Sequence, residues 1–240
     1  MVDIDGASFY VSDGARLSLP AVTSYAHAST GSNQDRRFQA IGAGSVLDLS
    51  GVTSITNGTG YSNHVFVEAL NGGLIDLSAA TEIADASGGF NDNRRRAVAV
   101  TASGAASTVR LNSLTTFTDV RGGDTDLYGD DAFSRLNAYS GGVLQTPALT
   151  KLSAVFIAKD AVSSIDTAQI TELSYGSIDF NGPLTYDLGN VTNLSHTTVS
   201  VAGAGRSIAF PKATNIDGAN FYVAGGARLS LPVATSYSHV

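Results

Sequence analysis

Apolar and polar positions recur along this chain in nine copies of a nine-residue unit whose consensus is apolar-x-Leu-(Pro/Ser)-x-apolar-Thr-x-apolar. It reads LSLPAVTSY from Leu17, LDLSGVTSI from Leu47, IDLSAATEI from Ile75, VRLNSLTTF from Val109 and LQTPALTKL from Leu144. It continues as IDTAQITEL from Ile165, YDLGNVTNL from Tyr186, IAFPKATNI from Ile208 and LSLPVATSY from Leu229. Position seven is Thr in every copy: Thr23, Thr53, Thr81, Thr115, Thr150, Thr171, Thr192, Thr214 and Thr235. Short alternating stretches such as Phe9-Tyr10-Val11, Val199-Ser200-Val201 and Phe221-Tyr222-Val223 lead into turns rich in Gly. Alternation over a few residues, punctuated by Gly and Pro, predicts short half-buried strands, about three per repeat. No window keeps a 3.6-residue apolar period over the ~10 residues that a stable helix needs.

The threonines are 30, 28, 34, 35, 21, 21, 22 and 21 residues apart, so the basic period is 21 to 22 residues and the first four intervals carry extra chain. One repeat cannot bury its own apolar face, whereas stacked repeats align Leu, Ile, Val and Phe into a continuous core. The expected architecture is all-β: a right-handed parallel β-helix (β-solenoid) of about nine rungs over residues 1–240. At roughly 4.8 Å per rung it would be on the order of 40 Å long; the hand follows from the usual sense of parallel crossovers. Period, three-strand rungs and Gly/Ala/Ser/Thr/Val/Asp-rich composition resemble the right-handed β-helix repeats of large bacterial extracellular and surface proteins. The resemblance covers nearly the whole chain and is architectural. LSLPAVTSY also resembles part of the leucine-rich repeats of bacterial surface antigens, but it is one residue short between the Leu-Pro and Val-Thr steps and lacks the Ala-Phe-x-x-Cys segment that follows there.

Residues Ile4 to Tyr25 and Ile216 to Tyr237 are identical at 17 of 22 positions. This points to an excerpt of a longer tandem array, whose solenoid ends would associate end to end through unpaired strand edges.

The extra chain falls at one corner of the first four repeats, giving loops expected over about 26–37, 56–64, 84–97 and 118–135. Inserted segments at the same place in consecutive repeats stand side by side, and loops on a rigid scaffold commonly carry function. They hold seven of the 14 basic residues: Arg36, Arg37, Arg94, Arg95, Arg96, Arg121 and Arg135. Arginine forks match carboxylate, phosphate or sulfate groups, and aromatic rings such as Tyr61, Phe90, Tyr128 and Phe133 stack on sugars or peptides. The candidate ligand-binding edge is therefore Arg36, Arg37, Tyr61, His64, Arg94, Arg95, Arg96 and Tyr128, facing a glycan or a surface protein. The competing reading pairs these arginines with Asp85, Asp92 and Asp119 to fix the loops themselves. Asp124, Asp126, Asp130 and Asp131, spaced by glycines, form a candidate calcium site; a solvated acidic loop is the alternative. Of the threonine column, a structural role is expected, each hydroxyl bonding a backbone group. An ice-binding solenoid is a distant third function, because the neighbouring positions include Glu82, Lys151 and Glu172.

Composition narrows the classes. The chain has 43% hydrophobic and 15% charged residues, so it folds around a core rather than staying disordered. It has no cysteine, which excludes a disulfide scaffold and thiolate chemistry. Its net charge of -7 argues against a nucleic acid partner, and neither a membrane span nor an intact signal peptide is expected. Many parallel β-helices resemble pectate lyases and related polysaccharide enzymes, so a β-helix polysaccharide lyase or glycoside hydrolase is the alternative function. Arg94 to Arg96 with Asp124 to Asp131 is the one constellation to nominate for it, and no lyase motif, histidine ligand spacing or Ser-His-Asp order is recognisable. The leading expectation is a non-enzymatic structural or adhesive module, extracellular or at the cell surface as part of a larger bacterial secreted protein.

Overall fold

The computed structural model describes residues 3–28, 31–85, 95–119, 133–181 and 186–239. These residues form strands in parallel sheets, with no helix among them, and hence none long and apolar enough to cross a membrane. The first two repeats supply β1 (Phe9–Ser12), β2 (Arg16–Ser18), β3 (Ser24–Ala26), β4 (Asp35–Ile41), β5 (Val46–Asp48) and β6 (Ser54–Thr56). The next two supply β7 (His64–Leu70), β8 (Leu74–Asp76), β9 (Glu82–Asp85), β10 (Ala97–Ser103), β11 (Thr108–Arg110) and β12 (Thr116–Asp119). Then follow β13 (Ser134–Tyr139), β14 (Val143–Gln145), β15 (Lys151–Ser153), β16 (Val155–Lys159), β17 (Ser164–Ile165) and β18 (Glu172–Ser174). The last are β19 (Ser177–Asn181), β20 (Thr198–Ala202), β21 (Ser207–Ala209), β22 (Asn220–Ala224) and β23 (Arg228–Ser230).

From β1 to β19 successive strands pass to three sheets in rotation. The large sheet has the order β1-β4-β7-β10-β13-β16-β19-β20-β22, the second β17-β14-β11-β8-β5-β2, and the third β18-β15-β12-β9-β6-β3, with β21 and β23 as a separate pair. Single parallel bridges at Asn193 and Asn215 carry the third sheet onward. All the pairings are parallel and set corresponding residues of consecutive repeats opposite each other, for example Leu17, Leu47 and Ile75, or Tyr25, Ile55 and Ile83.

The nine-residue unit spans the second and third sheets, and its four apolar positions point inward. Leu47, Leu49, Val52 and Ile55 are fully buried in the second repeat, as are Ile75, Leu77, Ala80 and Ile83 in the third. Full burial of each large side chain contributes roughly 1.5–3 kcal/mol, which is why most copies swap one apolar residue for another; the fifth and sixth place Thr146 and Thr167 at the buried third position, and the Thr146 hydroxyl donates to the Asp166 carbonyl at 3.0 Å. Gly142 shows how closely the repeats stack: a Cβ there would sit 2.1 Å from the Ala102 carbonyl oxygen.

The exposed threonine column is a bonded ladder. Thr53, Thr81, Thr115, Thr150, Thr171, Thr192 and Thr214 each donate both the backbone N–H and the side-chain hydroxyl to the carbonyl of the threonine one repeat earlier. The hydroxyl bonds run from 2.9 to 3.4 Å. A carbonyl has two lone pairs, so one acceptor serves both donors.

The inserted segments connect the third sheet back to the large sheet, but their ends fold into strands. Ala26, Thr56, Ala84, Asp85, Thr118 and Asp119 close strands of the third sheet, while Asp35 to Arg37, His64, Ala97, Ser134 and Arg135 open strands of the large one. Between these strands lie residues 27–34, 57–63, 86–96 and 120–133, of which 29–30, 86–94 and 120–132 fall outside the described residues.

Candidate functional site

Register on the large sheet decides which side chains face outward. The outward column beginning at Arg37 continues through Phe66, Ala99, Arg135 and Phe156; the next passes through Gln39, Glu68, Thr101 and Asn137. On β10 the outward residues Ala97, Ala99 and Thr101 are small, whereas β7 presents His64, Phe66 and Glu68 and β13 presents Arg135 and Asn137. Small side chains between two bulky rows leave a trough of about 520 Å³, with Asn33 and Ser62 from the first two connections and Phe133 at its rim. The flanking strands are two strand spacings apart, about 9.5 Å, which suits an extended chain of sugar rings or a peptide lying along β10.

One wall of the trough is held by its own contacts. Arg37 lies over the Phe66 ring at 4.1 Å and donates to Glu68 Oε2 at 2.9 Å, and Gln39 donates to the same oxygen at 2.9 Å. His64 Nδ1 lies 3.1 Å from Asp35 Oδ1, and the imidazole stacks on Phe66 at 5.5 Å. Opposite, Phe133 stacks on Phe156 at 4.2 Å, and Arg135 Nε donates to the Phe133 carbonyl at 3.2 Å. The two terminal nitrogens of Arg135 make no hydrogen bond among the described residues, leaving the flat end of the guanidinium to a ligand.

Beneath the corner lies a buried polar column. Four residues after each ladder threonine come His27, Asn57, Asp85 and Asp119, all buried. In the unexpanded repeats the same place is taken by Ala154, Tyr175, His196 and Gly218, each with positive φ, which turn the chain tightly. Asn57 Nδ2 donates to Asp85 Oδ1 at 2.7 Å and to the Asn63 carbonyl at 2.8 Å, while its Oδ1 accepts from Gly58 N and lies 3.1 Å from His27 Nδ1. Arg96, fully buried, pairs with the fully buried Asp85 at 3.3 Å. Asp119 Oδ2 accepts from the Ser134 amide and hydroxyl, and Ser134 Oγ accepts from Val98 N. Burial and the neighbouring Asp119 push the Asp85 carboxyl up to about 7, against the opposing pull of Arg96. Burial holds His27 below the ordinary histidine value.

The candidate residues read from sequence therefore separate. His64 lines the trough, and Arg37 lies behind its wall, over the Phe66 ring. Arg36 falls in the inward column with Val65, donating to Gln34 Oε1 at 2.8 Å. Tyr61 is half-buried, its carbonyl accepting from Asn33 N at 2.7 Å. Arg95 is half-buried with φ of 68°, and Arg96 belongs to the buried column, where it fixes the corner against Asp85. Arg94, Tyr128 and the calcium candidates Asp124, Asp126, Asp130 and Asp131 lie outside the described residues. Among the described residues no group of three or more acidic or histidine side chains is placed to hold a metal ion.

Sequence reading missed Phe66, Glu68, Thr101 and Asn137 as trough residues. The signal was present in AVAVTAS: a strand whose alternate residues are all small, between two whose alternate residues are large, makes a furrow. No protein-family model, curated protein or solved structure matches this chain.

Proposed function

We propose that the chain is a right-handed parallel β-solenoid serving as a non-enzymatic extracellular adhesive module of bacterial type, and that it binds an acidic glycan in the trough on β10. The observation that carries this is the juxtaposition of a small-residue floor with an aromatic and ionic wall and a guanidinium whose outer end is unengaged. Three successive sheets visited in rotation support the solenoid.

Docking rather than turnover is favoured because the carboxylates at the trough wall are already committed: Glu68 to Arg37 and Gln39, and Asp35 to His64 and Arg37. A paired carboxylate is poorly disposed to accept or deliver a proton. Arg135 would then take a sugar carboxylate through its terminal nitrogens, with ring faces against Phe66 and hydroxyls on Asn137 and Thr101.

The test is a binding screen against acidic and neutral glycans with three single variants. Arg135→Ala is expected to weaken acidic-glycan binding about tenfold or more, by loss of a charge-assisted bond worth roughly 1.5–3 kcal/mol. Thr101→Trp, which fills the floor, should abolish it, and Arg110→Ala, on the second sheet, should leave it unchanged. Binding indifferent to Arg135→Ala and Thr101→Trp sinks the trough reading; turnover of a bound glycan would move the chain to the lyase or hydrolase class.

A further inference from the structure

The repeats break their own pattern together in one place, between the fifth and the seventh. On the large sheet an inward column runs through Ala40, Ala69, Ala102 and Ala138, all fully buried, and its next member is Lys159 at the end of β16. The nine-residue unit opens on Leu, Ile or Val in eight copies and on Tyr186 in the seventh. Thr167 takes the buried third position of the sixth copy, where the consensus has Leu. Departures from a rule that the rest of a chain keeps mark sites of function or strain. Here the three departures line a single cavity.

That cavity, of about 740 Å³, lies beside β17, where the continuous order of the second sheet ends; β21 and β23 beyond it pair only with each other. Its lining includes Lys159, Tyr186, Thr167, Gln169, Asp166 and Asp187, and its volume suits a small molecule. Lys159 is half-buried: its stem packs along apolar neighbours and its ammonium reaches the cavity, 5.2 Å from the centre of the Tyr186 ring. The ring is wedged edge-on against Phe180 at 5.2 Å. The ammonium's one hydrogen bond among the described residues is long, 3.4 Å to the Ser163 carbonyl. Asp166 Oδ2 accepts from Thr146 N at 3.1 Å and Asp187 Oδ1 from Gly189 N at 3.2 Å. The second oxygen of each carboxylate has no hydrogen bond among the described residues, and none of the three charged groups is taken up in an ion pair there.

We infer that this cavity binds a small zwitterion of the amino-acid type, its carboxylate on Lys159 and its ammonium on Asp187 and Asp166. A plain anion would meet two carboxylates and a plain cation would meet Lys159, a repulsion in either case. A ligand that carries both charges answers all three groups, and like charges set against the wrong ligand are what makes a site selective. Tyr186 and Pro147 supply apolar surface for the body of the ligand. The cavity shares no lining residue with the trough on β10, so the inference stands whether or not the trough binds a glycan.

The experiment uses the full chain and calorimetric titration with glycine, L-alanine, L-leucine and L-phenylalanine. Each is compared with its methyl ester, which keeps only the ammonium, and its N-acetyl form, which keeps only the carboxylate. At least one free amino acid should bind saturably, and both of its derivatives should bind about tenfold or more weaker, by loss of a charge-assisted contact. Lys159→Met keeps an apolar stem without the charge and should bring the free amino acid down to the affinity of its ester. Asp187→Asn should bring it toward the affinity of the N-acetyl form; Asp187 is exposed, so this variant keeps the fold and tests the site independently of Lys159→Met. Arg135→Ala, in the trough, should change nothing. Absence of saturable binding at millimolar concentrations overturns the proposal. So does a derivative that binds as tightly as its parent, which would mean a site for plain anions or plain cations, and so does binding untouched by both variants, which would put the amino acid elsewhere.

Discussion

Arg96→Met tests the buried corner most directly, because it removes a cation that is fully buried and leaves its shape partly filled. In the native chain Asp85 has Arg96 at 3.3 Å and Asn57 Nδ2 at 2.7 Å, and both members of the ion pair are inaccessible to solvent. Breaking a buried pair by removing one partner costs about 3–5 kcal/mol, since the remaining charge keeps its desolvation penalty without its compensation. For a chain of this length that corresponds to a thermal midpoint lower by roughly 6–20 °C. The effect carries a pH signature. Because the folded Asp85 carboxyl titrates near 7, above its value in the unfolded chain, the folded state binds the extra proton between about pH 4 and pH 7. Stability contributed by this group is therefore present at the acid end and declines as the pH rises through that window. Without Arg96 the charged form is still worse off, so the variant should lose most at pH 8 and only about 1–2 kcal/mol at pH 5, where a neutral carboxyl needs no counter-ion. Paired urea or thermal melts at the two pH values, with Asp85→Asn as a second background, measure it. An Arg96→Met loss equal at pH 5 and pH 8, or below about 1 kcal/mol at both, would refute the ion-pair account; in Asp85→Asn the pH dependence of the Arg96→Met loss should disappear.

Two further outcomes follow from the stacking itself. Thr81→Val keeps the β-branch but removes a hydroxyl bonded to the Thr53 carbonyl at 3.2 Å, and should cost about 0.5–1.5 kcal/mol in urea unfolding; a neutral result would reduce the ladder to a packing preference. Gly142→Ala would bring a methyl group to 2.1 Å from the Ala102 carbonyl oxygen, forcing two repeats apart, and should destabilise by at least the ~1–3 kcal/mol of an overpacked core; an unaltered melting curve would show that the repeats have slack there.

Much of this protein is legible in its sequence. Nine threonines at one position of a recurring unit, 21 to 22 residues apart where no extra chain intervenes, required repeats, and alternation without helical spacing required strands. The apolar positions of the unit became the buried columns, because side chains of period two that recur in every repeat can only be satisfied by stacking on themselves. The duplication of the first repeat in the ninth was likewise plain in the letters.

Other features were decided only when strands were paired. Arg36 and Arg37 are neighbours in sequence and look like one basic pair, yet β4 begins at Asp35, so one turns in beside Val65 and the other out over Phe66. The trough depends on Ala97, Ala99 and Thr101 of β10 falling between the bulky rows of β7 and β13, a relation between residues more than 30 positions apart that a shift of one residue would invert. Arg96 stood in the sequence between a binding edge and a pairing with Asp85 that fixes the loop, and the fold seals it against Asp85. A charge run says how many cations a segment carries; which of them meets water is set by the register and burial of the strands it leads into.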